Sequence, residues 1–98
     1  MNMPKAIQDE AERLGLSTIS TGGGFDYVSK TFDSTEFACE VEMTLMAVDG
    51  PGGPDSIREP CVVTVWRDHG WDSGVSVRFP DCRKAMRFMA AAFAPNFF

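Results

Sequence analysis

Residues 36–48 read EFACEVEMTLMAV, and this stretch decides the predicted fold. Every second position from Phe37 to Ala47 is apolar. The alternate positions carry Glu36, Glu40, Glu42 and Thr44, and Ala38 and Met46 are the apolar exceptions among them. A period of two residues is typical of a β-strand with one buried face. The pattern therefore predicts a strand that buries its apolar side chains and turns a row of carboxylates toward solvent.

The register of this strand is strongly specified by the same pattern. Burying Val41, Met43 and Leu45 stabilises the fold by about 1.5–3 kcal/mol for each side chain. A slip by one residue would expose them and bury the glutamates, and an unpaired buried carboxylate costs several kcal/mol. We therefore expect the glutamates to lie on the solvated face.

A helix is predicted before this strand and another after the last strand. Ile7, Ala11 and Leu14 follow helical spacing, with Pro4 as the first helical position and Gly15 as the residue after the end. Asp81 is a good N-cap for a second helix that runs through about Phe93. Its core stripe is Cys82, Ala85, Met86, Met89 and Phe93.

Three further strands are predicted over residues 25–32, 61–67 and 74–79. In the last of them, Val75, Val77 and Phe79 are expected to point inward. Residues 33–34 and 68–72 are predicted to be turns, and the Pro- and Gly-rich residues 49–60 an exposed loop.

Together these elements predict a single α+β domain over residues 1–98. The order α-β-β-β-β-α, with short links between strands, favours antiparallel pairing. The predicted fold is a two-layer sandwich: a four-stranded antiparallel sheet with the N- and C-terminal helices on one face and solvent on the other.

The charge of the chain limits the classes of partner. The formal net charge is −5. Residues 1–60 contain eleven acids and four bases, a balance of −7, whereas residues 61–98 contain three acids and five bases, a balance of +2. Because phosphate binding needs clustered Lys and Arg, the balance argues against direct binding to nucleic acid or to anionic membranes. A basic protein surface is the expected partner.

Cysteine usage and hydropathy suggest a cytoplasmic protein. The three cysteines are an odd number without a close pair, there is no signal peptide, and apolar runs are far shorter than a membrane span. Cys39, Cys61, Cys82 and His69 lack the local spacing of zinc ligands, so core thiols are favoured and no metal or cofactor is expected. Asp68 and His69 are sequence neighbours in a predicted turn and rarely share triad geometry, so we expect no enzymatic activity.

One resemblance points to RNA. The helix–strands–helix order, with Arg83-Lys84-Ala85 opening the last helix, resembles the double-stranded RNA-binding domain. The resemblance covers residues 6–16 and 82–93 best. The chain departs from that family in having one strand too many, no basic loop and an acidic total charge, so no site residue is carried over.

The acidic strand face is the candidate binding site. Trp66 alternates toward the polar side of its strand, and Trp71 is predicted on the adjoining turn. Large aromatic side chains beside charge are typical anchors of protein interfaces. The candidate partner-binding residues are Asp26, Asp33, Glu36, Glu40, Glu42, Trp66 and Trp71. The alternative is that the acids serve solubility and Trp66 packs against its strand neighbours.

In size, acidity and compact α+β character the chain is similar to small phage-encoded inhibitors, including anti-CRISPR proteins, although no motif of one such family is matched. The resemblance implies a non-enzymatic inhibitor that mimics nucleic acid and blocks a nucleic-acid-binding host protein or complex, such as a Cas subunit. A monomer or weak dimer is expected. A double-stranded-RNA-binding module and a small structural or assembly protein remain the alternatives.

Overall fold

The computed structural model describes residues 3–20, 26–34, 39–49, 52–67 and 70–92, with only the backbone described at residues 34, 39, 67 and 70–74. Two helices and five strands follow one another along the chain. They are α1 (Lys5–Arg13), β1 (Ser17–Ser20), β2 (Asp26–Ser34), β3 (Cys39–Ala47), β4 (Cys61–Arg67), β5 (Gly70–Phe79) and α2 (Cys82–Ala91). The predicted α+β class, with an antiparallel sheet and two helices, is confirmed.

The two ends of α1 lie at Pro4 and Gly15. α1 ends in a left-handed Gly15 (φ 75°), where the N–H of Leu16 donates to the carbonyl of Ala11 at 2.8 Å and that of Gly15 to the carbonyl of Glu12 at 3.1 Å. This is the Schellman arrangement, in which glycine supplies the positive φ. Pro4 is the N-cap residue, so α1 begins at Lys5, one residue later than predicted.

The sheet has five strands and not four. All neighbours are antiparallel, and the strand order β1-β2-β3-β4-β5 follows the chain. The missed strand is β1, which pairs Ser17 with Ser29 and Ser20 with Asp26. Sequence patterns did not indicate β1 because its four residues are all exposed and carry no apolar alternation. Residues 21–25, which join β1 to β2, lie outside the described part.

The strand boundaries agree with the predictions at β4 and differ at β2 and β5. β4 covers the predicted residues 61–67. β2 continues through Asp33 and Ser34, predicted to be a turn, because they pair with Glu40 and Cys39 of β3. β5 begins at Gly70 and contains Trp71, also predicted to lie in a turn. The register shifts between Val65 and Arg67, and this irregularity lets Gly70 pair with Arg67.

The core lies between the two helices and one face of the sheet. Val41, Met43 and Leu45 of β3 are fully buried, which confirms the predicted face assignment. The register places Met43 opposite Val65 and Leu45 opposite Val63 of β4. The helices contribute Ile7 and Ala11 from α1 and Cys82, Ala85, Met86 and Met89 from α2 to the same cluster. The opposite side of the sheet is called the open face below.

α2 crosses the sheet from β4 toward β2. It begins at Cys82, whose thiol is hydrogen-bonded to that of Cys61 at the start of β4. Its last carbonyls, those of Ala90 and Ala92, accept hydrogen bonds from the Nζ of Lys30 on β2 at 2.9 and 2.7 Å. α2 therefore leaves the far part of β5 uncovered. Val75 and Val77, predicted to point inward, lie on the helix side but are 63% and 36% exposed.

The loop before β4 packs against the domain more closely than predicted. Gly52 and Pro54 are buried, and Ile57 packs against the core. The N–H of Cys82 donates to the carbonyl of Ile57 at 3.1 Å. The described residues of 52–60 therefore cover the N-terminal end of α2 and are only partly exposed. No helix in the described ranges has the length and hydropathy that crossing a membrane requires.

Candidate functional site: the acidic end of the open face

Three carboxylates gather at one end of the open face. Asp33 of β2 lies directly opposite Glu40 of β3. Glu42 lies between Thr31 of β2 and Trp66 of β4. Because side chains on directly opposed residues point to the same side of a sheet, all five residues share the open face. We call Asp33, Glu40 and Glu42 the acidic cluster.

The spacing within the acidic cluster follows from the geometry of the sheet. Directly opposed residues have Cβ atoms about 5 Å apart, and residues two apart on one strand lie about 7 Å apart. Asp33 is exposed, whereas Glu40 and Glu42 are half-buried. Like charges directly opposite each other, as in the pair of Asp33 and Glu40, destabilise a sheet.

Trp66 forms the edge of the acidic cluster. It is half-buried and lies directly opposite Glu42. The strands hold the indole beside carboxylates without a flexible linker. An aromatic side chain in this position offers a large contact area next to charge.

Not every predicted site residue joins this group. Asp26 lies two residues before the core residue Val28 in β2, so its side chain points to the same side of the sheet, the helix side. It is buried there, with 8% of its surface exposed. The sequence could not show this because Asp26 opens its strand without a clear alternation around it. Glu36 and the side chain of Trp71 lie outside the described part of the chain. That these seven residues contact a partner remains a prediction.

A row of hydroxyl side chains crosses the middle of the open face. Each strand contributes one residue at an aligned position: Ser17, Ser29, Thr44, Thr64 and Ser76. Ser29, Thr44 and Thr64 are buried, so the middle of this face is not exposed to solvent, contrary to the sequence prediction. The Oγ1 of Thr64 and the Oγ of Ser76 are 3.1 Å apart and share a hydrogen bond. Sequence reasoning missed this row, because only the pairing register aligns residues from five strands.

The far end of the open face is apolar and contains Arg78. Met46 is opposite Val62, which is opposite Arg78, and Ile19 is opposite Tyr27. Arg78 is exposed and lies two rows away from Glu42 along the strand direction, about 13 Å. The guanidinium at this end does not stand alone, because Asp49, Asp55 and Glu59 line the same cavity as Arg78.

Within the described ranges, no group of three or more His, Cys, Asp and Glu side chains could hold a metal ion. A cavity of about 420 Å³ beside the 52–60 loop brings Asp55, Glu59 and Arg78 together near Asp49. The predicted turn residues Asp68 and His69 lie outside the described part.

Cys61 and Cys82 are free and buried side by side. The Sγ of Cys82 also lies 3.4 Å from the carbonyl oxygen of Ser56 and 3.6 Å from that of Glu59, and donates to both. The hydrogen bond with Cys61, together with burial, raises the pKa of the Cys82 thiol well above its ordinary value. The same hydrogen bond lowers the pKa of the Cys61 thiol. Both thiols are buried, as the sequence predicted for core cysteines.

Comparison with protein-family models, with curated proteins and with solved structures finds no match to this chain. The residues of the open face and their charges are therefore the basis for inferring what the protein binds.

Proposed function

We propose that the protein is a non-enzymatic, protein-binding inhibitor whose acidic cluster occupies a basic, nucleic-acid-binding site on a partner protein. The observation that carries the proposal is the pairing register, which places Asp33, Glu40 and Glu42 together on the open face beside Trp66. Strands hold these groups in fixed positions, so little conformational entropy is lost when a partner binds.

The spacing of the acidic cluster supports mimicry of a short piece of nucleic-acid backbone. Its carboxylates are about 5–7 Å apart. One strand of DNA carries a phosphate for about every 3.4 Å of helix axis. The acidic cluster is therefore less dense in charge than DNA and replaces only a few phosphates. It would fill a local basic pocket, not a long groove.

Trp66 supports the protein-binding part of the proposal. Tryptophan and arginine are enriched among residues that dominate interface energies. An arginine of the partner could contact Glu42 and stack on the indole of Trp66 at the same time, since a guanidinium pairs with carboxylates and stacks on aromatic rings. The similarity of type to small phage-encoded inhibitors makes a Cas subunit a specific candidate partner.

Charge reversal tests the proposal. We expect Glu40→Lys/Glu42→Lys to abolish capture of the partner from a cell lysate, and to abolish inhibition of its binding to a labelled DNA or RNA duplex, measured by fluorescence anisotropy. Capture by the original protein should weaken as salt rises, because screening shortens the range of charge–charge attraction. The free energy of unfolding should change little, since both sites are partly exposed.

The matched control changes the same amount of charge elsewhere. Asp9→Lys/Glu12→Lys replaces two exposed acids of α1, on the helix side of the sheet, and shifts the formal net charge from −5 to −1, as the test variant does. It should retain capture and inhibition. Unchanged binding by the test variant, or equal loss in both variants, would contradict a role for the acidic cluster.

A further inference from the structure

Two cysteine thiols meet where the 52–60 loop, β4 and α2 come together. Cys61 is the first residue of β4 and Cys82 the first residue of α2, and their side chains are hydrogen-bonded to each other. Both cysteines are free, and both have 0% exposure. The sulfurs of a disulfide lie about 2 Å apart, so two thiols in hydrogen-bonding contact have only a short distance to move before they can be joined.

The thiol of Cys82 also holds the 52–60 loop against α2. Its Sγ donates to the carbonyl oxygens of Ser56 at 3.4 Å and of Glu59 at 3.6 Å. The main-chain N–H of Cys82 donates to the carbonyl of Ile57 at 3.1 Å. Three carbonyls of the loop therefore have their donor on one cysteine, and two of them depend on the proton of its thiol.

The contact between the thiols gives them unequal reactivity. The hydrogen bond to Cys82 lowers the pKa of the Cys61 thiol, and the same hydrogen bond raises the pKa of the Cys82 thiol. Because the thiolate is the nucleophile, Cys61 is the sulfur that reacts with an oxidant, and Cys82 is the resolving thiol beside it.

The 52–60 loop controls access to the two sulfurs. It contains no helix or strand, and Ser56, Arg58 and Pro60 are exposed. Segments of this kind open locally at a lower free-energy cost than the unfolding of the whole domain. A small oxidant therefore reaches the thiols when the loop opens, while the sheet and the helices stay folded.

We propose that Cys61 and Cys82 form a redox modification site, in which a reversible disulfide replaces the thiol pair and detaches the 52–60 loop from α2. The oxidant is a peroxide. The thiolate of Cys61 attacks one oxygen of hydrogen peroxide, the O–O bond breaks, and a sulfenic acid and water form. The sulfur of Cys82 then attacks that of Cys61, the S–O bond breaks, and the hydroxyl leaves as water with the Cys82 proton. The two sulfurs lose two electrons, which reduce the peroxide to two waters.

Loss of the Cys82 proton changes the loop and not the acidic cluster. The carbonyls of Ser56 and Glu59 lose their donor, and buried carbonyls without a donor are costly, so the loop is expected to move toward water. Glu59 lines the cavity that also contains Arg78, so oxidation alters that cavity. Trp66 lies five residues beyond Cys61 on β4, about 17 Å away. The modification site therefore does not depend on the proposed function.

Peroxide treatment of the folded protein tests the proposal. After treatment, remaining thiols are alkylated and the proteolytic peptides are analysed by mass spectrometry. We expect a cross-linked peptide that joins Cys61 to Cys82 with the loss of two hydrogen atoms, and its reversal by dithiothreitol through thiol–disulfide exchange. In the oxidised protein, the amide hydrogens of residues 55–59 should exchange about tenfold faster, whereas those of β3 should keep their rates.

Three variants separate oxidation from packing. Cys39→Ser is the matched control and should still form the cross-link. Cys82→Ser keeps a donor for the loop and removes the disulfide, so its loop exchange should be slow with or without peroxide. Cys82→Ala removes the donor, so its loop should exchange as fast as that of the oxidised protein under both conditions. Circular dichroism checks that each variant is folded.

Several outcomes would overturn the proposal. A cross-link through Cys39, or oxidation beyond the sulfenic acid without a cross-link, would remove the pairing of Cys61 with Cys82. Cross-linking that occurs only in urea would assign the reaction to the unfolded chain. A cross-link that leaves exchange of residues 55–59 unchanged would rule out detachment of the loop. Partner capture by the oxidised protein should equal that of the reduced protein, so failure of this test is distinct from failure of the charge-reversal test.

Discussion

At the scale of single residues, Lys30 shows how tertiary structure can reassign a side chain. Its position in β2 places it on the helix side, in line with Val28, where an apolar residue is expected. Its Nζ instead donates to the carbonyls of Ala90 and Ala92 at the end of α2, and lies 5.7 Å from the centre of the Phe32 ring. A cation at a helix C-terminus also interacts favourably with the helix dipole. Lys30 thus joins the sheet to the last turn of α2.

Replacing Lys30 should destabilise the fold. We expect Lys30→Met to lower the free energy of unfolding by about 1–2 kcal/mol, because the carbonyls at the end of α2 lose a charged donor. Urea denaturation followed by circular dichroism measures the change. Lys5→Met is the control, because Lys5 is exposed and its contact is an ion pair with Asp9 on the surface of α1. Equal stability of the two variants would contradict the capping role.

The same residue predicts a pH dependence. Burial lowers the pKa of Lys30 from its ordinary value of 10.5. Between the folded and the unfolded pKa, the unfolded chain binds more protons, so this group adds stability as the pH rises toward 10.5. The difference in unfolding free energy between the original protein and Lys30→Met should therefore grow in this alkaline range. A difference that stays constant or shrinks would contradict the lowered pKa.

At the scale of elements, each helix end is determined by one local contact. For α2 the contact is the N-cap, in which the Oδ1 of Asp81 accepts from the N–H of Lys84 at 2.9 Å. Asp81→Ala should destabilise the protein by about 1 kcal/mol, whereas Asp81→Asn, which keeps the acceptor, should cost much less. Urea denaturation measures both changes. Equal losses would mean that the charge of Asp81, and not its hydrogen bond, is important.

At the scale of the whole molecule, burial on the helix side falls sharply from β4 to β5. Val63 is fully buried, whereas Val77, directly opposite it on β5, is 36% exposed. Val75, two residues before Val77, is 63% exposed. The cause is the direction of α2, which covers the middle strands and not the part of β5 around Val75. Charge also differs between the two sides of the sheet, since the acidic cluster lies on the open face and the exposed Lys84 and Arg87 lie on α2, on the other side.

Two identical substitutions measure this difference in burial. Val63→Ala should lower the free energy of unfolding by about 2 kcal/mol, from lost apolar burial and the cavity that remains. Val75→Ala should change it by less than about 0.5 kcal/mol. Thermal and urea denaturation, followed by circular dichroism and by tryptophan fluorescence, measure both variants. Similar losses would show that α2 or another segment covers β5 in solution.

Prediction from sequence succeeded where neighbouring residues are enough to define an element. The alternation of β3, the caps at Gly15 and Asp81 and the bounds of β4 each depend on neighbouring residues. It failed where the outcome depends on distant residues. β1 has no apolar pattern and exists because β2 pairs with it, and Asp33 continues β2 because Glu40 lies opposite. The candidate site was partly predictable for the same reason: Glu40 and Glu42 follow from the alternation of β3.

The sequence by itself determined that this chain is an α+β protein with an acidic strand face and a basic last helix, because periodicity and charge are local properties. Only the tertiary structure decided that Asp33 and Trp66 join Glu40 and Glu42, that Asp26 does not, and that Lys30 caps α2. It also decided that the apolar side of β5 is left open. The physical reason is that a pattern shows which side of an element is apolar, whereas strand register and the direction of a helix decide what covers it.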